Sequence, residues 1–166
     1  THIIMDTTNI SKNVSFTGHR SGRISQPMLT LFTGMVTEIK RLYALGYRNF
    51  LSGMAEGSDL IFAKAVLTVR NELTDIRLVA AIPFRKQSAR YSDTNKRLYI
   101  SLLEEADKTV ILSESYHKGC FHRRNDFLVE HAAIMLAYWD GLPYGGTYYT
   151  IGKAQMLNRI IINLYK

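Results

Sequence analysis

Three short segments combine glycine with groups able to hold an anion. They are Thr17-Gly18-His19-Arg20-Ser21-Gly22-Arg23, Ser52-Gly53-Met54-Ala55-Glu56-Gly57-Ser58-Asp59 and Gly141-Leu142-Pro143-Tyr144-Gly145-Gly146-Thr147. Glycine lets backbone N–H groups approach a ligand closely, and a helix N-terminus next to such a turn favours negative charge. Basic side chains recur in the same kind of segment, at Arg20, Arg23, Arg85, Lys86, Arg90, Lys118, Arg123 and Arg124. The chemistry this combination supports is phosphate binding. Taken singly, each glycine segment is equally well a tight strand–helix turn.

Other chemistries fit less well. Gly18 and Gly22 do not make the G-x-G-x-x-G pattern of dinucleotide sites, and no G-x-x-x-x-G-K-[ST] occurs. His19, His117, His122 and His131 are scattered and none has H-E-x-x-H spacing, so no metal site and no cofactor are expected. His131, beside Glu130 in a helical stretch, reads as a packing residue. Cys120 stands near His117, His122 and Arg123, a setting able to activate a thiol, although an isolated loop cysteine is more often inert. Tyr138, Tyr144, Tyr148 and Tyr149 surround the Gly-Gly-Thr turn and offer base stacking, core packing or an interface.

The elements that must position these residues alternate in type. Val14–Phe16, Asn49–Ser52, Arg77–Ile82, Thr109–Leu112, Ile134–Trp139 and Ile160–Leu164 read as strands. Between them lie helical segments. Met28, Phe32, Met35, Ile39 and Leu42 form one helical face, stopped by Gly46. Further helices are expected from Ser58 or Asp59 to Glu72, from Ser92 to Ala106, from Arg123 to Ala133 and from Gly146 onward. Strands alternating with helices imply parallel pairing, and runs apolar on both faces imply helices on both sides. The expected fold class is therefore α/β, a Rossmann-like three-layer sandwich with a mostly parallel sheet of about six strands. The chain, residues 1–166, is expected to form a single domain. In such sheets ligands bind beyond the carboxyl ends of the strands, where the glycine segments and the basic residues fall.

Composition narrows the classes further. The 166 residues are 46% hydrophobic and 21% charged, which is incompatible with a disordered chain. One cysteine excludes an intrachain disulfide framework. No apolar run reaches a membrane span and the first ten residues lack a leader pattern, so a soluble, cytoplasmic protein is expected. The net charge of +7 permits an anionic partner, nucleic acid included, without requiring one. Exposed tyrosines and methionines make a homodimer plausible.

The motif set resembles the SLOG superfamily, which includes the DNA-processing protein DprA/Smf and the "lonely guy" phosphoribohydrolases, and within it the YpsA-like family. The carriers are Phe16-Thr17-Gly18-His19-Arg20, the Ser52–Asp59 segment, Ile82-Pro83-Phe84, Arg123-Arg124-Asn125, Tyr138-Trp139-Asp140-Gly141 and Gly145-Gly146-Thr147. The resemblance implies a site for a nucleotide or nucleotide derivative, an ADP-ribose-like one included, formed by Thr17, Gly18, His19, Arg20, Ser52, Gly53, Glu56, Gly57, Asp59, Arg123, Arg124, Gly145, Gly146 and Thr147. The expected role is a binding or sensor protein. The alternatives are a phosphoribohydrolase-like enzyme and a DprA-like DNA-binding protein. Related hydrolases carry a glutamate three residues after the threonine of the last motif; here that position is Thr150. Efficient hydrolysis is therefore not expected unless Glu56 or Glu130 supplies the carboxylate.

Overall fold

The computed structural model describes residues 9–166. Strands β1 (Asn13–Gly18), β2 (Asn49–Ser52), β3 (Arg77–Ile82), β4 (Lys108–Ile111), β5 (Ile134–Tyr138) and β6 (Ile160–Asn163) alternate with helices α1 (Met28–Ala44), α2 (Ser58–Arg70), α3 (Asp93–Glu105), α4 (Cys120–Glu130) and α5 (Gly146–Met156). All six strands pair in parallel, in the order β4-β3-β2-β1-β5-β6. The Rossmann-like α/β architecture expected from the alternation is the one observed.

The period of two along each strand divides the core between two faces. Val14, Phe16, Phe50, Leu78, Ala80, Ile134 and Leu136 pack with α1, α2 and α3 in one cluster. Leu51, Val79, Ala81 and Val110 meet Leu128 of α4 on the opposite face, and Met135 meets Ala154 of α5 there. Ser15, also on that face, donates to the Leu128 carbonyl at 2.7 Å and so is satisfied inside the core.

The chain steps from β1 outward through β2, β3 and β4, then returns across the sheet to β5 and continues to β6. Connections leaving β1 and β5 therefore run in opposite directions, and no crossover covers the crevice between their carboxyl ends. That is the topological switch point at which open α/β sheets hold ligands.

Boundaries differ from expectation mainly at α4, which starts at Cys120 and ends at Glu130. Gly119 adopts a left-handed conformation (φ 87°) that lets the helix begin earlier. His131 follows the last turn and is buried, its Nδ1 2.7 Å from the Phe127 carbonyl. Most of the opening segment, where no leader is expected, lies outside the described residues.

Candidate functional site

His19 organises the crevice. Its N–H donates to Tyr138 O at 3.2 Å, tying the loop after β1 to the end of β5. Its carbonyl accepts Ser58 N at 3.1 Å and Ser58 Oγ at 2.7 Å, tying the same loop to the start of α2. Its Nε2 accepts the Asp140 N–H at 2.9 Å, which places the proton of the neutral ring on Nδ1. Burial, helped by nearby Arg23, lowers the His19 pKa despite the Asp140 carboxylate 3.1 Å away.

Arg23 forms a two-pronged pair with Asp140, both contacts from Nη2 at 2.8 Å, and lies 4.1 Å over the Tyr144 ring. Burial would raise the Asp140 carboxyl, but Arg23, the Leu142 N–H and His19 bring it down to about 2. Arg23 is thus occupied in fixing the loop after β5.

A cavity of about 370 Å³ opens at this point. One wall is Thr17–Arg20 at the end of β1 and in the loop after it; another is Gly145, Gly146 and Thr147 at the start of α5; Arg23, Asp59 of α2 and Phe121, His122, Arg124 and Asn125 of α4 also line it. Parallel strands bring the N-termini of α2, α4 and α5 to the same sheet edge. The N–H groups of a first helical turn have no partner within the helix and carry partial positive charge, so this edge suits an anion.

The segment after β2 turns beneath the cavity. Ser52 Oγ accepts Met54 N at 3.1 Å and donates to Asp59 O at 3.0 Å, and Asp59 Oδ2 accepts Ala55 N at 3.1 Å. Burial raises the Asp59 pKa against the opposing pull of Arg124. Ser52, Gly53 and Gly57 support the cavity without lining it. Gly57 has φ 118°, and a Cβ there would lie 2.7 Å from Arg20 Cα, so only glycine lets the two loops touch.

Arg124 departs from the simple role of phosphate ligand. It is 4% exposed, donating from Nη1 to Gly53 O at 2.7 Å and from Nε to Asn125 Oδ1 at 2.9 Å. Arg123 donates to Leu112 O at 2.8 Å and does not line the cavity. Arg20 differs from both. It is exposed, it forms no ion pair among the described residues, and it rests 5.5 Å from the Phe121 ring centre.

The carboxylate substitutes also separate. Glu130 ends α4, and helices that start at the carboxyl edge of a parallel sheet finish at its other edge; Glu130 is therefore remote from the cavity. Glu56 accepts Asn95 Nδ2 at 2.8 Å and Ser92 N at 3.0 Å, bonds that lower its pKa against partial burial. It lines a neighbouring cavity, not the first. Thr150 is fully buried and its hydroxyl donates to Gly146 O at 2.8 Å within its own helix.

Of the aromatic candidates, Tyr138 is buried and its hydroxyl accepts the Ser25 N–H. Tyr144 covers Arg23, Tyr148 lies beside Trp139, and Tyr149 stacks on His122 at 4.2 Å. Cys120 is buried. Among the described residues no cluster of three His, Cys, Asp or Glu side chains could hold a metal, and no helix is long and apolar enough to cross a membrane. Asp140 stands in a motif that carries the family resemblance but is not among the expected site residues, because its role depends on two partners more than a hundred positions away.

The fold and the crevice define a Rossmann-like α/β protein with a glycine-lined cleft at its switch point. DNA processing protein A from Helicobacter pylori, described by its single-stranded DNA binding mode, shares this fold with a TM-score of 0.65 at 18% identity, over 96% of this chain and 67% of that one. The model of the YspA SLOG family matches residues 15–160, and the chain belongs to that family. A UPF0398 protein of Bacillus pumilus is 28% identical over 121 residues, and the UPF0398 protein YpsA of Bacillus subtilis is 25% identical over 101 residues. These matches cover 70% and 60% of this chain but 65% and 56% of the relatives, so the chain spans less than two thirds of either.

Proposed function

We propose that the protein binds the phosphate of a nucleotide or nucleotide derivative in the crevice between β1 and β5, and that it binds without efficiently cleaving a glycosidic bond. The observation that carries this reading is the meeting, in one cavity of about 370 Å³, of the open first turn of α5, the Thr17–Arg20 loop and an Arg20 guanidinium with no ion pair among the described residues. The volume lies within the range of small-molecule sites.

Glycosidic cleavage passes through a cationic, oxocarbenium-like state that a nearby carboxylate stabilises. Among the described residues the one acidic side chain lining the cavity is Asp59, and burial disfavours its anion. Thr150 faces its own helix and Glu130 is at the far edge of the sheet. Binding is thus better supported than hydrolysis.

The test is calorimetric titration with AMP and ADP-ribose, with base release followed in parallel. Saturable binding without turnover is expected. A charge-assisted contact is worth about 1.5–3 kcal/mol, so Arg20→Ala should weaken binding roughly tenfold or more. Because Arg20 is exposed, melting of the ligand-free variant should be unchanged. Absence of saturable binding would sink the reading. The basic sheet edge and the single-stranded DNA binding of the H. pylori neighbour favour single-stranded DNA as a second reading. Its signature is oligonucleotide affinity that falls steeply with salt.

A further inference from the structure

A second cavity of about 930 Å³ adjoins the first and shares Arg20 and Phe121 with it. It lies over the carboxyl ends of β3 and β4, away from the tyrosines around the Gly-Gly-Thr turn. Phe84 follows β3, Tyr116 sits in the loop after β4 and Phe121 is in the first turn of α4. Their ring centres are mutually 5.6, 6.0 and 6.3 Å apart, with Phe84 edge-on to both neighbours. Tyr116 is 63% exposed, so much of its ring is open to a ligand. Lys86 and Arg90 line the same cavity and, like Arg20, form no ion pair among the described residues.

We infer that this second cavity is the subsite for the aromatic base of the ligand whose phosphate occupies the first cavity, with Tyr116 as the principal stacking surface. The inference rests on the phosphate reading above and adds to it a location for the heteroaromatic ring and the residue that holds it. An exposed aromatic ring offers a planar ligand a face of matching size, and stacking tolerates any base. The shared Arg20 stands between the two cavities, where the anionic link between base and terminal phosphate must pass. Lys86 and Arg90 reinforce the demand for an anionic ligand, while Glu56, held by Ser92 and Asn95, and Glu114, paired with Arg85, oppose a second phosphate on their walls.

The probes are ADP and inorganic pyrophosphate, which carry the same diphosphate with and without a base. ADP should bind the unaltered protein at least about tenfold more tightly than pyrophosphate. Tyr116→Ala should remove about tenfold of the ADP affinity and leave pyrophosphate affinity unchanged. Tyr116→Phe should retain ADP binding, since the ring and not the hydroxyl is required. Tyr116 is exposed enough that neither change should alter melting. If Tyr116→Ala leaves ADP affinity intact, or weakens pyrophosphate equally, the base subsite is wrong while pyrophosphate binding keeps the phosphate reading standing. If the unaltered protein binds neither probe, both readings fall together.

Discussion

Arg124→Ala should lower the unfolding free energy by about 3–5 kcal/mol, since two buried acceptors each lose a charged donor at about 1–3 kcal/mol or somewhat more. For a chain of this length that is a drop of roughly 6–20 °C in melting temperature. The reason lies in what the guanidinium leaves behind. Gly53 O and Asn125 Oδ1 lose a donor, and the Asp59 carboxyl loses the cation that most opposes its desolvation. The deficit should depend on pH in a defined direction. Burial already raises the Asp59 pKa, and without Arg124 it rises further. A carboxyl whose folded pKa lies above its unfolded value of about 3.9 stabilises the fold fully below that value and loses the contribution as pH rises through the folded pKa. The gap between variant and parent should therefore be wider at pH 8 than at pH 5. Asp59→Asn in the Arg124→Ala background should recover part of the loss. Urea unfolding of the ligand-free protein at both pH values measures all of this, and unchanged stability would return Arg124 to the role of a dispensable ligand contact.

Gly57→Ala should be comparably damaging through the backbone. At φ 118° and ψ −134° a side chain is strained, and the added Cβ would meet Arg20 Cα and Ser21 N at 2.7 Å. Strain of about 1–3 kcal/mol combines with overpacking of about 1–3 kcal/mol, because the obstructing atoms are backbone and cannot rotate away. The loop carrying Arg20 must shift, so pyrophosphate or ADP binding should fall along with stability. Gly22→Ala is the matched control. A Cβ at Gly22 meets nothing within 4 Å, so that variant should melt within about 0.5 kcal/mol of the parent. Equal melting of the two variants would show that the contact between the β1 and β2 loops is not tight in solution.

Much of the fold was legible because its signals are local. Apolar runs of strand length, a helical face from Met28 to Leu42 and the stop at Gly46 each need only neighbouring residues. Parallel pairing then follows from alternation. The family resemblance pointed to the same loops, and most of its residues do converge there. What escaped depended on distance in sequence. Arg124 at a helix start looks like an anion ligand; that it serves the Gly53 carbonyl 71 positions earlier is visible only once β2 and α4 are placed. Phe84, Tyr116 and Phe121 come from separate segments and become one cluster only because β3 and β4 are neighbours. Glu130 could have been set aside sooner, since a helix that begins at the carboxyl edge of a parallel sheet must end at the opposite edge.

The hydrogen bonds radiating from His19 also bear on how affinity can arise. One residue joins the end of β1 to the end of β5, to the start of α2 and to the Asp140 turn, so the walls of the first cavity are fixed by folding itself. A ligand entering such a preorganised site has little backbone entropy to remove, and a larger share of its contact energy appears as affinity. The ordering still to be met falls on the long, exposed side chains of Arg20, Lys86 and Tyr116. Binding should accordingly be felt as a loss of side-chain freedom along one rim, with the β1, β5 and α2 segments keeping the positions they hold without ligand.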